Sequence, residues 1–165
     1  MRYGQIRRYD IANGLGIRTS IFVTGCTHAC AGCFNEDYQD FQAGTPWTER
    51  ETEEVIRDLE DDTIAGLTLL GGEPFQNVPE LTEVVRAIKK KSPKDIWAYS
   101  GYTFEELVKD PARLDLLREI DVLVDGRFIE AQKDLTLRFR GSANQRILDV
   151  KKSLAAMKAV PYTLE

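Results

Sequence analysis

The feature that most restricts this chain is the placement of its cysteines. There are three, Cys26, Cys30 and Cys33, and no others. An odd number packed into so short a stretch makes a poor disulfide framework. The fold therefore has to close on hydrophobic burial alone, and 165 residues suffice for one domain, 1–165, with its own core. Clustered thiols that do not cross-link point to a metal.

Composition narrows the partners. Apolar residues make up 42% and charged residues 30%, with a net charge of −5, the balance of an ordinary globular protein. The only basic run, Lys89-Lys90-Lys91, reads as a solvated helix end, so nucleic acid is not an expected partner. The N-terminus lacks the apolar stretch of a secretory signal. Runs such as Ile21-Phe22-Val23 and Leu69-Leu70 fall far short of a membrane span. The expected location is the cytoplasm.

Hydrophobic patterning alternates between strands and helices. Ile17–Val23, Leu67–Leu70, Asp95–Ser100 and Val122–Val124 read as strands, with Arg146–Val150 as a further candidate. Helical spacing covers the stretch opened by Thr48, where Glu51 completes a capping-box pattern, and then Pro79–Lys91, Thr103–Val108 and Ala112–Glu119. Cys26 to Gly44 reads as a long loop. This order implies parallel strands with helices outside them. A full eight-unit barrel takes about 250 residues, so this length supplies about five units. The expected architecture is α/β, an open partial (β/α) barrel. Its distinctive residues follow strand ends: the cysteines, Gly71-Gly72-Glu73-Pro74, Ser100-Gly101 and Asp125-Gly126. Parallel α/β folds place their chemistry at those strand ends.

Three thiolates on one loop suit an iron–sulfur cluster. A [4Fe–4S] cube bound by Cys26, Cys30 and Cys33 keeps one iron without a protein ligand, an open position of the kind catalytic metals use. Zinc is the alternative, as Cys₃His with His28. However, His28 lies two residues from both Cys26 and Cys30, and no second ligand pair exists. His28 is expected to face solvent or to support the site without ligating metal.

Cys-x₃-Cys-x₂-Cys is the signature of the radical S-adenosylmethionine superfamily, which this chain resembles. Gly71-Gly72-Glu73-Pro74 matches that superfamily's Gly-Gly-Glu segment, one βα unit after the cysteine loop. Within the superfamily the chain is similar to the small activases of anaerobic ribonucleoside-triphosphate reductases. Asn13–Ser20, Cys33-Phe34-Asn35, Trp97–Tyr102, Val124–Phe128 and Arg138–Arg146 carry that similarity. Gly32 stands where the wider superfamily has an aromatic residue, and Phe34 follows the third cysteine, as in this subgroup.

The resemblance implies a [4Fe–4S] cluster and S-adenosyl-L-methionine as cofactors. It implies reductive cleavage of the sulfonium to methionine and a 5′-deoxyadenosyl radical, which takes hydrogen from a glycine of the reductase. Gly32, Cys33, Phe34, Gly71, Gly72, Glu73 and Pro74 are the expected cofactor contacts, with Glu73 on the methionine ammonium. Ser100 and Asp125 join them as residues after strand ends, although each also fits an ordinary turn. No catalytic group beyond the cluster ligands is expected. Partners are the reductase and a flavodoxin-like or other low-potential electron donor. Arg138–Arg146 is either a solvated loop or, the favoured reading, the surface that meets the reductase. Asn13 and Arg18 carry no assignment. Two other enzymatic readings are an activase of another glycyl radical enzyme and a compact small-molecule enzyme such as 7-carboxy-7-deazaguanine synthase. A non-enzymatic metal sensor would leave Gly71–Pro74 without a purpose.

Overall fold

The computed structural model describes residues 1–164. Seven strands form one sheet in the order β3-β1-β2-β4-β5-β6-β7. They are β1 (Arg2–Asp10), β2 (Ile17–Val23), β3 (Thr45–Pro46), β4 (Ile64–Gly71), β5 (Asp95–Tyr99), β6 (Val122–Asp125) and β7 (Arg146–Asp149). The middle four, β2, β4, β5 and β6, run parallel. The edges do not: β1 pairs antiparallel with β2 and β3, and β7 pairs antiparallel with β6. The all-parallel expectation is thus corrected to a mixed sheet whose centre alone is parallel.

Helices α1 (Glu49–Leu59), α2 (Glu80–Lys89), α3 (Phe104–Leu107), α4 (Pro111–Leu117) and α5 (Val150–Ala156) all contribute to one core against the sheet. Thr48 and Glu51 form the expected capping box at α1, and the Thr48 amide donates to the Glu51 carboxylate at 2.7 Å. Asp110 caps α4 through the Ala112 and Arg113 amides, with Pro111 at the first helical position, where its missing N–H costs nothing.

Period-two alternation sorts each central strand between two cores. Ile21, Val23, Leu67, Leu69, Ile96, Ala98 and Leu123 face the helices and pack against Val55, Leu81, Val85 and Leu116. On the other face Trp97, Val122 and Val124 gather Leu15, Phe139, Ile147 and Tyr162. Both faces of the parallel centre are therefore covered, which is why β6, the middle of β5 and the end of β2 read as apolar runs.

Arg18 lies on that second face and is almost wholly buried. Its guanidinium donates to Thr68 Oγ1 at 2.8 Å, Leu67 O at 2.9 Å and Leu15 O at 3.0 Å, and it pairs with Asp95 at 2.8 Å. An arginine without an assignment from sequence is thus a strut joining β2, β4 and β5.

Leu69 is fully buried at the centre of the helix-side core. Leu69→Ala should lower the unfolding free energy by about 2–5 kcal/mol, through lost burial and the cavity left behind. Chemical denaturation monitored by circular dichroism measures this, with the midpoint falling and the slope unchanged.

Candidate functional site

A cleft of about 440 Å³ opens at the C-terminal ends of the parallel strands. Its wall includes Cys26, Cys30 and Cys33 from the loop after β2, Gly71, Gly72 and Glu73 from the turn after β4, and Ser100 and Gly101 from the turn after β5. Sequence placed these groups at strand ends, and parallel pairing brings those ends together.

The β2–β4 register explains how closely they meet. Pairing runs from Ile17 opposite Ile64 to Val23 opposite Gly71. It then continues past both strands: the Gly72 amide donates to Val23 O at 2.8 Å and the Glu73 amide to Gly25 O at 2.7 Å. Gly71 sits at φ +105°, and a Cβ there would stand 2.5 Å from Val23 O. The glycines thus let the turn seat directly on the root of the cysteine loop.

The cysteines are free and half-buried. Burial pushes the Cys26 and Cys30 thiols up, and the neighbouring cysteines push in the same direction. Backbone hydrogen bonds at His28 and Phe128 act against this at Cys26 and Cys30, and the Asn35 amide reaches Cys33 Sγ at 3.4 Å. Iron would replace the protons of such thiols, and amide donors to sulfur are a normal part of cluster sites. Among the described residues, no three His, Cys, Asp or Glu side chains converge on a single-ion site. His28 Nε2 is held by Glu73 at 2.7 Å, which leaves the three thiols as the donor set. The donor set fits the cluster.

Glu73 is buried, and its carboxylate is heavily engaged. Oε1 accepts from His28 Nε2 at 2.7 Å and from the Gly101 amide at 2.7 Å. Oε2 accepts from the Phe75 amide at 2.8 Å, and the Ser100 hydroxyl lies 3.0 Å from both oxygens. His28 therefore does not face solvent; it supports Glu73. Ser100 directs its hydroxyl at Glu73.

Other expected contacts separate from the cleft. Asp125 does not line it. Its carboxylate accepts from the Phe104 amide at 2.7 Å, capping the start of α3, and from Arg146 Nε at 3.0 Å. Its turn-like sequence concealed a buried carboxylate paired with a half-exposed arginine. Pro74 is buried and opens a short 3₁₀ turn, so it shapes the segment without reaching the cleft. Gly32 lies beside Glu130, and Phe34 lines the cleft mouth against Phe128, with centroids 5.0 Å apart.

The Arg138–Arg146 stretch is largely occupied internally. Arg146 pairs with Asp125 and Glu105, and Arg140 donates to Gln145 O at 3.0 Å. Arg138 alone of the three projects outward, over Phe139.

A family model described as a 4Fe-4S single cluster domain matches residues 12–148. The anaerobic ribonucleoside-triphosphate reductase-activating protein of Pasteurella multocida (strain Pm70) is 44% identical over 152 residues, covering 89% of this chain and 96% of that protein. The chain belongs to this family of reductase-activating proteins. Proteins of the same name from Haemophilus influenzae and Escherichia coli (strain K12) are 45% and 41% identical, covering 89% and 88% of this chain and 97% and 96% of their own lengths.

Sequence reasoning missed several groups of this activating-protein family member that the cleft brings in. Tyr99 lines it with a buried hydroxyl that has no hydrogen-bond partner, and burial pushes its phenol well up. Its strand position, alternating with Ala98, marked it as facing away from the helices. Asn13 also lines the cleft and donates to Asp10 at 2.8 Å. Nothing local in sequence signals that role.

Asp125→Asn should cost about 1–3 kcal/mol of stability, as loss of a charged hydrogen-bond acceptor, while iron content and cofactor affinity hold. Denaturation and equilibrium titration separate the outcomes. Unchanged stability with weakened cofactor binding would return Asp125 to the cofactor site.

Proposed function

We propose that this chain activates an anaerobic ribonucleoside-triphosphate reductase by placing a radical on one of its glycines. The observation that carries the reading is the meeting, in one cleft, of three half-buried thiols and the Gly71-Gly72-Glu73 turn. In this reading Cys26, Cys30 and Cys33 would hold a [4Fe–4S] cluster, and the Gly71-Gly72-Glu73 turn beside them would receive the methionine part of S-adenosylmethionine. When bound, the reduced cluster supplies one electron to the sulfonium, whose carbon–sulfur bond breaks to give methionine and a 5′-deoxyadenosyl radical.

The chain's own residues do the positioning. Glu73 offers the charged acceptor for the ammonium, and Gly71 and Gly72 keep the backbone low beneath it. The apolar wall of Phe34, Leu137 and Phe139 keeps water away from the reactive carbon. A reductase glycine brought to this wall would give its α-hydrogen to the cofactor's 5′ carbon, becoming the glycyl radical.

A polypeptide substrate needs a wide entrance. In this reading the chain is a single domain and its sheet an open partial barrel, whose open side would provide one. Leu135, exposed at the cleft wall, and the exposed Ile129 and Arg138 all lie on the segment between β6 and β7. They are the proposed contact with the reductase, in place of the arginine-rich stretch as a whole. A flavodoxin-like or other low-potential donor supplies the electron, and the setting is the cytoplasm. Among the described residues, no helix is long and apolar enough to cross a membrane.

Reconstituted without oxygen and given an artificial reductant, the protein should hold about four irons per chain and release methionine and 5′-deoxyadenosine together. Ile129→Asp with Arg138→Ala should leave that cleavage intact. The same pair should slow reductase activation by about tenfold, the effect of ~1.4 kcal/mol at an interface. Absence of cleavage by cluster-loaded protein would refute the reading.

A further inference from the structure

Four groups donate to the Glu73 carboxylate, and three come from the turns beside it: the Phe75 and Gly101 amides and the Ser100 hydroxyl. The fourth is His28, from between the first two cysteines. Its Nε2 lies 2.7 Å from Oε1, with the two side chains 5% and 1% exposed. An ionised carboxylate only accepts hydrogen bonds, so Nε2 carries the proton.

The ring sits in a shaped niche. It packs edge-on to Tyr102, with centroids 4.6 Å apart and planes at 78°. Gly101 forms the other wall, and a Cβ there would stand 2.7 Å from Nε2. The preceding residue is tied down as well. The Thr27 amide donates to Gln76 Oε1 at 2.9 Å, while Gln76 Nε2 donates to Thr27 Oγ1 at 2.7 Å and to Tyr102 Oη at 3.0 Å. The segment from Cys26 to Cys30 is thus stitched to the turns after β4 and β5 by side chains that are neither metal ligands nor hydrophobic core.

We infer that His28 is a positioning residue. It holds the Glu73 carboxylate in the orientation that receives the cofactor's ammonium, and it fixes the first two cluster cysteines at a set distance from that carboxylate. The inference rests on the reading of Glu73 given above. The opposite arrangement would make His28 a placeholder that sits in the ammonium's seat and must leave. A carboxylate has about four lone-pair sites, and four donors fill them here. One of them must yield to an incoming ammonium. The Ser100 hydroxyl turns about a single bond at little cost, whereas the imidazole is enclosed by Tyr102 and Gly101. The hydroxyl yields, and the ring stays.

The two arrangements predict opposite signs. Equilibrium titration of cluster-loaded protein with S-adenosylmethionine, without reductant, reads affinity apart from turnover. Loss of iron to a chelator without the cofactor reads the hold on the cysteine loop. His28→Ala should weaken affinity by about tenfold to a hundredfold, the loss of one charged hydrogen bond, and should speed iron loss. His28→Gln, whose amide nitrogen reaches the place of Nε2, should restore most of both. Gly101→Ala, which drives the ring from its niche, should reproduce the loss with His28 present. Tighter binding by His28→Ala would make His28 a placeholder, and equal binding or no recovery with Gln would leave it a packing residue; any of these overturns the inference. A Glu73→Gln control tells the failures apart. If it weakens binding and His28→Ala does not, positioning alone falls; if neither weakens binding, the reading of Glu73 falls.

Discussion

Parallel pairing of β2 with β4 is the constraint on which the site depends. Seven residue pairs align from Ile17 and Ile64 to Val23 and Gly71, and two further amides of the Gly-Gly-Glu turn bond to Val23 and Gly25 beyond the strand ends. Because the strands run in the same direction, both connections leave on the same side of the sheet. A loop of soft metal ligands and a turn carrying a buried carboxylate therefore meet without any helix or lid to bring them together. Slipping that register by one residue would turn every side chain of one strand to the opposite face. Apolar residues on the helix side of both strands oppose such a slip, as does the Arg18 strut on the other side.

Much of this was legible in the sequence. Every central strand and four of the five helices had a periodic or capping signal, and the residues of interest stood immediately after strands. The edges were harder. β1 carries Arg2, Arg7, Arg8 and Asp10 and shows no clean alternation, because much of it faces solvent and only its pairing to β2 makes it a strand. β7 could be read as a strand but not as antiparallel, since direction depends on where the preceding loop returns to the sheet. α5 follows β7 without a connecting residue and was not anticipated; Asp149 caps it by accepting from the Lys152 amide at 3.0 Å.

The site divides along similar lines. Glu73 and Asp125 look alike in sequence, as acidic residues just after strands and beside glycine. Burial of a carboxylate requires donors, and their sources set the two apart. Asp125 finds Arg146 on the neighbouring strand and the first amide of α3, so its charge is used within the fold. Glu73 finds only neutral donors and one imidazole, at the wall of an open cleft. Nothing short of three-dimensional contact shows that difference. His28 illustrates the same limit, because its spacing disfavoured a ligand role while its carboxylate partner lies 45 positions away.

The central claim is hydrogen transfer from a glycine of the reductase to the 5′ carbon of the cofactor. Its most direct measurement uses reductase labelled with α-deuterated glycine, incubated without oxygen with this protein, S-adenosylmethionine and a reductant. Deuterium should appear in 5′-deoxyadenosine. Electron paramagnetic resonance should show a glycyl radical on the reductase, whose α-hydrogen doublet in unlabelled protein collapses with the label. Deoxyadenosine free of deuterium, with no glycyl signal on an otherwise competent reductase, would contradict the account.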